Sequence, residues 1–212
     1  LRTGFTAAPR FTRSSVRSYA THPGWVMNYL VREKFALPNL STHVSEGTNV
    51  AVSVADYFNT MLDQSMDWKM AEAIRAEWGG QFCLKGVMSV EDAKRAVDIG
   101  ATAIMVSNHG GRQLDGSRSP FDQIAEIADA VGGKIDIICD GGVRRGTHVL
   151  KALAAGATAC SGGRLYLYAL AAAGEPGVDR VVGKLRDEIE RGMKLMGVRS
   201  VAELDSSMLR WR

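Results

Sequence analysis

Hydrophobic residues after position 80 occur in short runs without alternation, and each run precedes a segment with the spacing of an amphipathic helix. Such runs indicate strands buried on both faces, as in a parallel α/β sheet. Four strands are predicted, at residues 81–85, 103–107, 135–139 and 157–161. Helices are predicted to begin at Ser89, Pro120, Thr147, Leu165 and Glu175, the last ending at Met196 before a capping Gly197.

This order of elements fits either a doubly wound sheet or a (β/α)8 TIM barrel. A barrel needs eight strands, so four βα units would be the C-terminal half of one. We therefore divide the chain into residues 81–212, the barrel units, and residues 1–80, a helical and loop excursion that covers the active site. Within the excursion the pattern predicts helices over residues 23–35, 50–62 and 66–78.

Composition narrows the class of protein. The chain has 212 residues, 46% of them hydrophobic and 23% charged, which is typical of a soluble globular domain. A net charge of +3 is too small to favour nucleic acid as a partner. Cys83, Cys139 and Cys160 are too widely spaced for a disulfide framework or a metal site, and we expect buried, reduced thiols.

Location is predicted from the same features. The longest apolar stretch, residues 165–173, is too short to cross a bilayer, so we expect a cytoplasmic protein. A basic surface leaves open a peripheral position on the inner face of the cytoplasmic membrane. The first 22 residues are rich in Arg, Ser and Thr, and we interpret them either as a transit peptide or as a basic loop of a larger protein.

Polar residues follow the ends of the predicted strands, where ligands bind in both architectures. Residues 107–113 (SNHGGRQ) come directly after the second strand. His109 can act as a base near neutral pH, and Arg112 offers a guanidinium group to a carboxylate. This pair fits chemistry at the carbon beside a carboxylate; a loop in which both residues only stabilise a turn has equal weight on spacing alone.

Lys85 ends the first predicted strand. It could form a Schiff base, supply positive charge to an anionic intermediate, or simply reach solvent. Two glycine turns follow the third and fourth strands, at residues 140–146 (DGGVRRG) and 162–164 (GGR), and each carries arginine and leads into a helix. Backbone N–H groups, a helix N-terminus and guanidinium groups are the usual ligands of a phosphate, so the turns predict a phosphate site.

Taken together, residues 107–113, residues 140–146 and the Lys85-Gly86 strand end resemble the FMN-dependent α-hydroxy-acid dehydrogenase and oxidase family. The resemblance extends over about residues 81–204. Residues 1–5 and 21–25 (THPGW) look most like those of quinone-linked L-lactate dehydrogenases within that family.

The resemblance implies the C-terminal half of a TIM barrel that holds FMN at its mouth. It implies three catalytic residues: His109 as the base, Arg112 as the ligand of the substrate carboxylate, and Lys85 beside the flavin. Ser107 would line the flavin site. The phosphate would be held by Asp140, Gly141, Gly142, Arg144, Gly163 and Arg164.

The implied reaction is oxidation of a small 2-hydroxy acid, L-lactate, to the 2-oxo acid. The hydroxyl proton would pass to His109 while the carbon-bound hydrogen moves to the flavin as hydride. A carbanion route uses the same residues and stays open. A quinone or another electron acceptor would reoxidise the flavin, and the family resemblance implies a homo-oligomer, a tetramer.

Two departures from the family pattern bear on these expectations. The last turn reads Ser161-Gly162-Gly163-Arg164-Leu165, whereas the family has an apolar residue followed by Gly-Arg-Pro. The family's N-terminal half also supplies the carboxylate that orients the base and a second substrate arginine, so we expect that half as a partner. Three alternatives remain: a truncated half-barrel that is inactive alone, an oxygen-using hydroxy-acid oxidase, and a phosphate-binding barrel with isomerase or IMP-dehydrogenase-like chemistry.

Overall fold

The structure is a computed structural model that describes residues 12–31 and 63–210. The chain forms two compact units, Leu1–Met66 and Asp67–Arg212. This boundary lies before the helix that precedes the first strand, whereas the sequence-based division was set at residues 80 and 81. The functional division into an active-site cover and barrel units stays a prediction.

The described part of the first unit contains helices α1 (Arg13–Thr21) and α2 (Pro23–Val31). The hydroxyl of Thr12 accepts a hydrogen bond from the N–H of Ser15, and the Ser15 hydroxyl accepts one from the N–H of Thr12, so α1 begins with a capping box. Helix α1 was not predicted from the sequence pattern. Helix α2 begins at the predicted residue, whereas residues 32–35 and the predicted helix at 50–62 lie outside the described residues.

The second unit contains a parallel sheet in which the strands lie in chain order. Its strands and helices occur in the order α3, β1, α4, β2, α5, β3, α6, β4 and α7. Their bounds are α3 (Trp68–Trp78), β1 (Cys83–Val87), α4 (Val90–Asp98), β2 (Ala103–Ser107), α5 (Pro120–Val131), β3 (Asp136–Asp140), α6 (Gly146–Ala154), β4 (Ala159–Ser161) and α7 (Arg164–Met196). The predicted strand and helix order is confirmed, with bounds that differ by one or two residues at most ends.

The core lies between the sheet and the helices. Ile104, Val106 and Ile137 on the strands and Ile124 and Ile127 on α5 are fully or almost fully buried. The opposite face of the sheet is only partly covered by the described residues, as the intermediate exposure of Met105 and Ile138 shows. Both faces are apolar in sequence because the second face of a barrel strand points into the barrel interior, which four strands do not close.

Helix α7 is interrupted at Ala173 and Gly174, where Gly174 has φ 63° and ψ −147°. That conformation is accessible to glycine, and it divides α7 into the two helices that the sequence predicted. Gly197 ends the second part in the left-handed conformation, with φ 75°, as expected of a C-terminal cap.

All three cysteines are free thiols. Cys139 and Cys160 are neighbours on β3 and β4, and burial raises the pKa of Cys139 to about 12 and that of Cys160 to about 11. The expectation that every thiol is buried is wrong for Cys83, which is exposed on β1, the edge strand. Among the helices that the structure describes, none combines the length and apolarity needed to cross a membrane.

Candidate functional site

A cavity of about 450 Å³ lies at the C-terminal ends of the strands. Its volume is in the range of ordinary small-molecule sites. All the predicted site residues except Ser107 line it, which are Lys85, His109, Arg112, Asp140, Gly141, Gly142, Arg144, Gly163 and Arg164. The structure therefore brings the predicted base, the predicted carboxylate ligand and both glycine turns to one cavity.

His109 is presented by a tight 3₁₀ turn, His109–Gly111, directly after β2. The side-chain oxygen of Asn108 accepts a hydrogen bond from the N–H of Gly111 at 3.2 Å and closes the turn. His109 has φ 56° and is the one non-glycine residue with positive φ among residues 12–31 and 63–210. A non-glycine residue in that conformation is uncommon and persists only where its surroundings hold it.

The ring of His109 has no hydrogen-bond partner within the described ranges, and neither does the guanidinium group of Arg112. Both side chains belong to residues that line the cavity, so both have their hydrogen-bonding capacity available to a ligand. A neutral imidazole can take a proton, and a planar guanidinium group can bind a carboxylate through two parallel N–H bonds.

Lys85, Ser107 and Asp140 form one hydrogen-bonded cluster beneath the cavity. The ammonium group of Lys85 lies 2.5 Å from Oδ2 of Asp140 and 2.9 Å from the hydroxyl of Ser107, and that hydroxyl donates to the same carboxylate oxygen at 2.6 Å. Ser107 is only 4% exposed, and its oxygen also accepts from the N–H of His109 at 3.2 Å. The cluster thus connects β1 to the end of β3 and to the backbone of the predicted base. Lys85 is the middle residue of β1, so the prediction that it ends the first strand is wrong by two residues.

Asp140 is held as a carboxylate in this cluster. Partial burial acts to raise the pKa of Asp140, but its hydrogen bonds with Lys85 and Ser107 outweigh that effect and keep the pKa below its usual range. An ionised carboxylate accepts hydrogen bonds and repels a phosphate. The geometry therefore associates Asp140 with Lys85, as its counter-ion, more closely than with the phosphate ligand role expected from the resemblance.

The first glycine turn, residues 140–146, is open on the cavity side. Gly141 has φ 135° and Gly142 φ 73°, conformations that L side chains rarely adopt. The N–H groups of Gly142 and Val143 have no hydrogen-bond partner in the described part of the chain. The Nδ1 atom of His148 lies 3.2 Å from the N–H nitrogen of Arg144 and 3.0 Å from the carbonyl oxygen of Gly142, so His148 supports the turn from within α6.

The helix that follows this turn is not open at its N-terminus. Glu188 of α7 accepts a hydrogen bond from the N–H of Gly146 at 2.8 Å, and its two oxygens lie 2.9 and 3.0 Å from Nε of Arg145. The hydrogen bonds from Arg145 and Gly146 lower the pKa of Glu188 to about 2. A carboxylate of the protein therefore already binds the first N–H group of α6, and phosphate binding at this turn stays a prediction.

The second glycine turn differs at the same point. Gly163 precedes α7 without any side-chain cap, and its N–H group has no partner among residues 63–210. Nη2 of Arg164 donates to the carbonyl oxygen of Gly110 at 2.6 Å, which connects this turn to the turn that carries His109. A phosphate ester suits the donors that the two turns direct to the cavity, namely free N–H groups and the guanidinium groups of Arg144 and Arg164.

Three residues at or behind the site were not identified from the sequence. Asn108 lies inside the SNHGGRQ motif, and its capping role could have been inferred from its place before a glycine-rich turn. His148 lies in the first turn of a predicted helix, from which a side chain can reach back to the preceding loop. Glu188 gives no local signal, because it lies 42 residues along the chain from Gly146.

Known proteins with similar sequences and structures belong to one family. The family model described as FMN-dependent dehydrogenase matches residues 1–211. The L-lactate dehydrogenase of Alcaligenes faecalis is 40% identical over 200 residues, covering 92% of this chain and 52% of that protein. The L-lactate dehydrogenase of Caulobacter sp. (strain K31) is 41% identical over 188 residues, covering 88% of this chain and 49% of that protein. The chain thus spans about half the length of the curated relatives it matches.

Solved structures give the same result. A mandelate oxidase with benzoyl-formic acid superposes with a TM-score of 0.63 and 47% identity, over 65% of this chain and 41% of that chain. A flavocytochrome b2 variant with sulfite bound superposes with a TM-score of 0.68 and 43% identity, over 70% of this chain and 39% of that chain. In both cases this chain covers about two fifths of the solved chain, which agrees with four βα units that form part of a barrel.

Proposed function

This chain belongs to the FMN-dependent dehydrogenase family, and from that membership we propose that it supplies the acid–base and phosphate-binding half of an enzyme that oxidises L-lactate to its 2-oxo acid. The observation that carries the proposal is the single cavity at the strand ends, in which Lys85, His109 and Arg112 meet both glycine turns. FMN, when bound, supplies the electron acceptor for the oxidation.

Arg112 binds and orients the substrate. Its guanidinium group lines the cavity and makes no ion pair within the described ranges, so it can pair with the carboxylate of a small acid. A carboxylate held there places the neighbouring carbon and its hydroxyl group close to the adjacent turn, which carries His109. Because two-point binding restricts how the acid can turn, the same contact favours a 2-hydroxy acid over an acid that carries its hydroxyl farther away.

His109 accepts the hydroxyl proton of the substrate at a ring nitrogen. The left-handed backbone of His109 sets the direction in which its side chain leaves the main chain. Ser107 accepts a hydrogen bond from the N–H of His109, and Asn108 accepts one from the N–H of Gly111, so the turn is held on both sides of the ring. The ring has no carboxylate partner among the described residues. In the proposed enzyme the N-terminal half of the protein supplies that partner, and the proton then rests on an imidazolium paired with it.

Lys85 provides a fixed positive charge at the floor of the cavity. Its contacts with Asp140 and Ser107 hold the ammonium group in one place, and Asp140 stays ionised beside it. A Schiff base at Lys85 would need its side-chain nitrogen free to react, whereas Asp140 and Ser107 both bind that nitrogen in the structure. The cluster therefore supports the electrostatic role of Lys85 over the covalent one.

The substrate and the acceptor of the electrons are proposed on different grounds. The curated relatives are named L-lactate dehydrogenases, which supports L-lactate and an acceptor such as a quinone. The solved relatives include mandelate oxidases, which keeps a bulkier 2-hydroxy acid and oxygen as the second candidate. Within the described residues β1 and β4 are the edge strands of the sheet, which supports an N-terminal half as the partner that completes the barrel.

The test is reduction of bound FMN without oxygen. The chain is mixed with FMN, alone and together with a separately produced N-terminal half of the Alcaligenes faecalis relative, and the visible absorption of the flavin is followed after L-lactate is added. We expect L-lactate to bleach the absorption and His109→Asn to slow the bleaching by about 10²- to 10⁴-fold, the usual contribution of a general base. Gln113→Asn, an exposed change in the same loop, serves as the control and should leave the rate within about twofold.

Two results would contradict the proposal. One is that neither preparation retains FMN after gel filtration. The other is that His109→Asn retains FMN and is reduced by L-lactate at the rate of the unaltered chain. Bleaching by mandelate in place of L-lactate would favour the second candidate.

A further inference from the structure

We propose that Arg164 is a positioning residue that couples occupancy of the phosphate-binding turns to the orientation of His109. The proposal rests on the proposed function in one respect, which is the role of His109 as the base. It adds a connection between the two ends of the cavity, so that an anion bound at one end influences the base at the other.

The connection is a single short hydrogen bond. Nη2 of Arg164, at the start of α7, donates to the carbonyl oxygen of Gly110 at 2.6 Å, although the two residues are 54 positions apart. Gly110 is the residue directly after His109, so the bond acts on the peptide group between Gly110 and Gly111, within the turn that carries the base. A hydrogen bond from a charged donor is stronger than one between neutral groups, so its loss would leave the His109–Gly111 turn less firmly held.

The turn is shaped to receive this guanidinium group. A Cβ added to Gly110 would lie only 2.7 Å from Nη2 of Arg164, so a side chain at position 110 would displace the guanidinium group from its present place. Gly110 also has φ 68°, in the left-handed region that glycine favours. The absence of a side chain at position 110 therefore serves both the course of the backbone and the contact with Arg164.

The contact completes the support of a strained backbone. The His109–Gly111 turn is held from β2 by Ser107, which accepts from the N–H of His109, and by Asn108, which accepts from the N–H of Gly111. Both supports come from the same strand end, and Arg164 supplies the one from across the cavity. A left-handed non-glycine residue needs such surrounding contacts to persist.

Arg164 also has donors left for an anion. A guanidinium group has five N–H donors in a rigid plane, and the bond to Gly110 uses Nη2. Arg164 lines the cavity beside Gly163, whose N–H group is free in the described part of the chain. A phosphate bound there fixes the plane of the guanidinium group, and the fixed plane in turn holds the carbonyl of Gly110. By linkage, ordering of the turn strengthens binding of the anion by the same factor.

Arg144 offers a matched control. It is a second arginine that lines the same cavity, on the first glycine turn, and within residues 63–210 its guanidinium group makes no hydrogen bond or ion pair. Arg144→Met removes a positive charge from the phosphate region and leaves the His109 turn untouched. Arg164→Met removes an equal charge together with the bond to Gly110.

The experiment reads His109 directly. The chain has four histidines, so their ring signals can be followed by NMR in the full chain, with the His109 signal assigned by its disappearance in His109→Asn. Inorganic phosphate is titrated first and FMN second. In the unaltered chain and in Arg144→Met we expect saturating phosphate to shift the His109 ring signal and its pH titration. In Arg164→Met we expect phosphate to bind more weakly and the His109 signal to stay unshifted even at saturation.

A kinetic measurement accompanies the spectroscopic one. Both variants should raise the dissociation constant of FMN by about 10- to 100-fold, the range expected for one lost charge-assisted hydrogen bond. At saturating FMN, Arg164→Met should reduce its flavin at least about tenfold more slowly than Arg144→Met, because the base is then less well oriented.

The inference is overturned if phosphate shifts the His109 signal equally in both variants, or if Arg164→Met reduces its flavin at the rate of Arg144→Met. Unfolding midpoints of both variants show whether a lost signal reflects general destabilisation. Failure of the proposed function has a different signature, because L-lactate then reduces none of the preparations. In that case the NMR response of His109 to phosphate decides the inference by itself.

Discussion

The two glycine turns at the rim of the sheet, residues 140–146 and residues 162–164, have similar sequences and different surroundings. Both follow a strand, both contain paired glycines and arginine, and both lead into a helix. At the first turn the helix N-terminus is filled by Glu188, which binds Gly146 and Arg145. At the second turn the helix N-terminus has no cap, and Arg164 reaches across to Gly110.

This difference shows that a glycine turn before a helix favours an anionic group, which can be a carboxylate of the protein itself instead of a bound ligand. Where the chain brings its own carboxylate to the helix N-terminus, the turn becomes part of the scaffold. Where the N-terminus stays open, the same pattern remains available for binding. At this rim the first turn offers a ligand only its loop N–H groups and Arg144, while the second offers its helix N-terminus as well.

Adding one methyl group at each turn should give the largest contrast. A Cβ at Gly146 would lie 2.6 Å from the backbone nitrogen of Ile189, whereas a Cβ at Gly163 would meet nothing within 4 Å. Gly146→Ala is expected to lower the free energy of unfolding by about 1–3 kcal/mol, as overpacking usually does. Gly163→Ala should stay within about 0.5 kcal/mol, as at open surface positions. Urea denaturation measures both, and equal losses would remove the distinction between the turns.

The pH dependence of stability should separate Glu188 from an ordinary surface carboxylate. Its folded pKa of about 2 lies below its ordinary value of 4.5, so its stabilising contribution is complete above pH 4.5 and is lost as the pH falls to about 2. Glu188→Gln should therefore be less stable than the unaltered chain at neutral pH, and the gap should close over that window.

Glu190→Gln is the matched control for this prediction. Glu190 lies on the same helix and pairs with Arg186 at 3.0 Å, but both side chains are exposed and neither contacts a glycine turn. Unfolding by urea at a series of pH values should give the smaller change for Glu190→Gln. A gap for Glu188→Gln that is equally wide at pH 2 and pH 7 would contradict the assignment of Glu188 to the helix N-terminus.

The smallest expected effect is on amide exchange. Inorganic phosphate should slow hydrogen exchange at Gly163, by up to about tenfold at a phosphate concentration about ten times the dissociation constant. The amide of Gly146 should not respond, because Glu188 already accepts its hydrogen. Exchange is measured with and without phosphate and resolved by residue. Slowing at Gly146 alone would reverse the roles given to the two turns.

Much of the site could be predicted from the sequence, because its residues directly follow strands. A parallel sheet brings the C-terminal ends of its strands to one edge, so Lys85, His109 and residues 140–144 were expected to meet, and they line one cavity. The apolar runs likewise predicted the order of the elements. These are local patterns, and residues that end neighbouring parallel strands lie close together as soon as the sheet forms.

What could not be predicted depends on long-range geometry. Glu188 reaches Gly146 only because α7 changes direction at Gly174, and no pattern in the sequence gives the angle of that change. The bond between Arg164 and Gly110 likewise depends on how two loops face each other. Helix α1 was missed for another reason: its Ser, Thr and Arg content is typical of loops, and the capping box of Thr12 and Ser15 was overlooked.

The order of the strands has a consequence for how this sheet assembles. Each strand pairs with the next one in the chain, so the pairings join residues about 20 to 33 positions apart, as in Cys83 with Ala103, Ala103 with Asp136 and Ile138 with Ala159. Closing such short loops costs little chain entropy, and a low contact order favours rapid folding. The sheet can therefore grow in the order of synthesis, with each new βα unit docking on the one that left the ribosome before it.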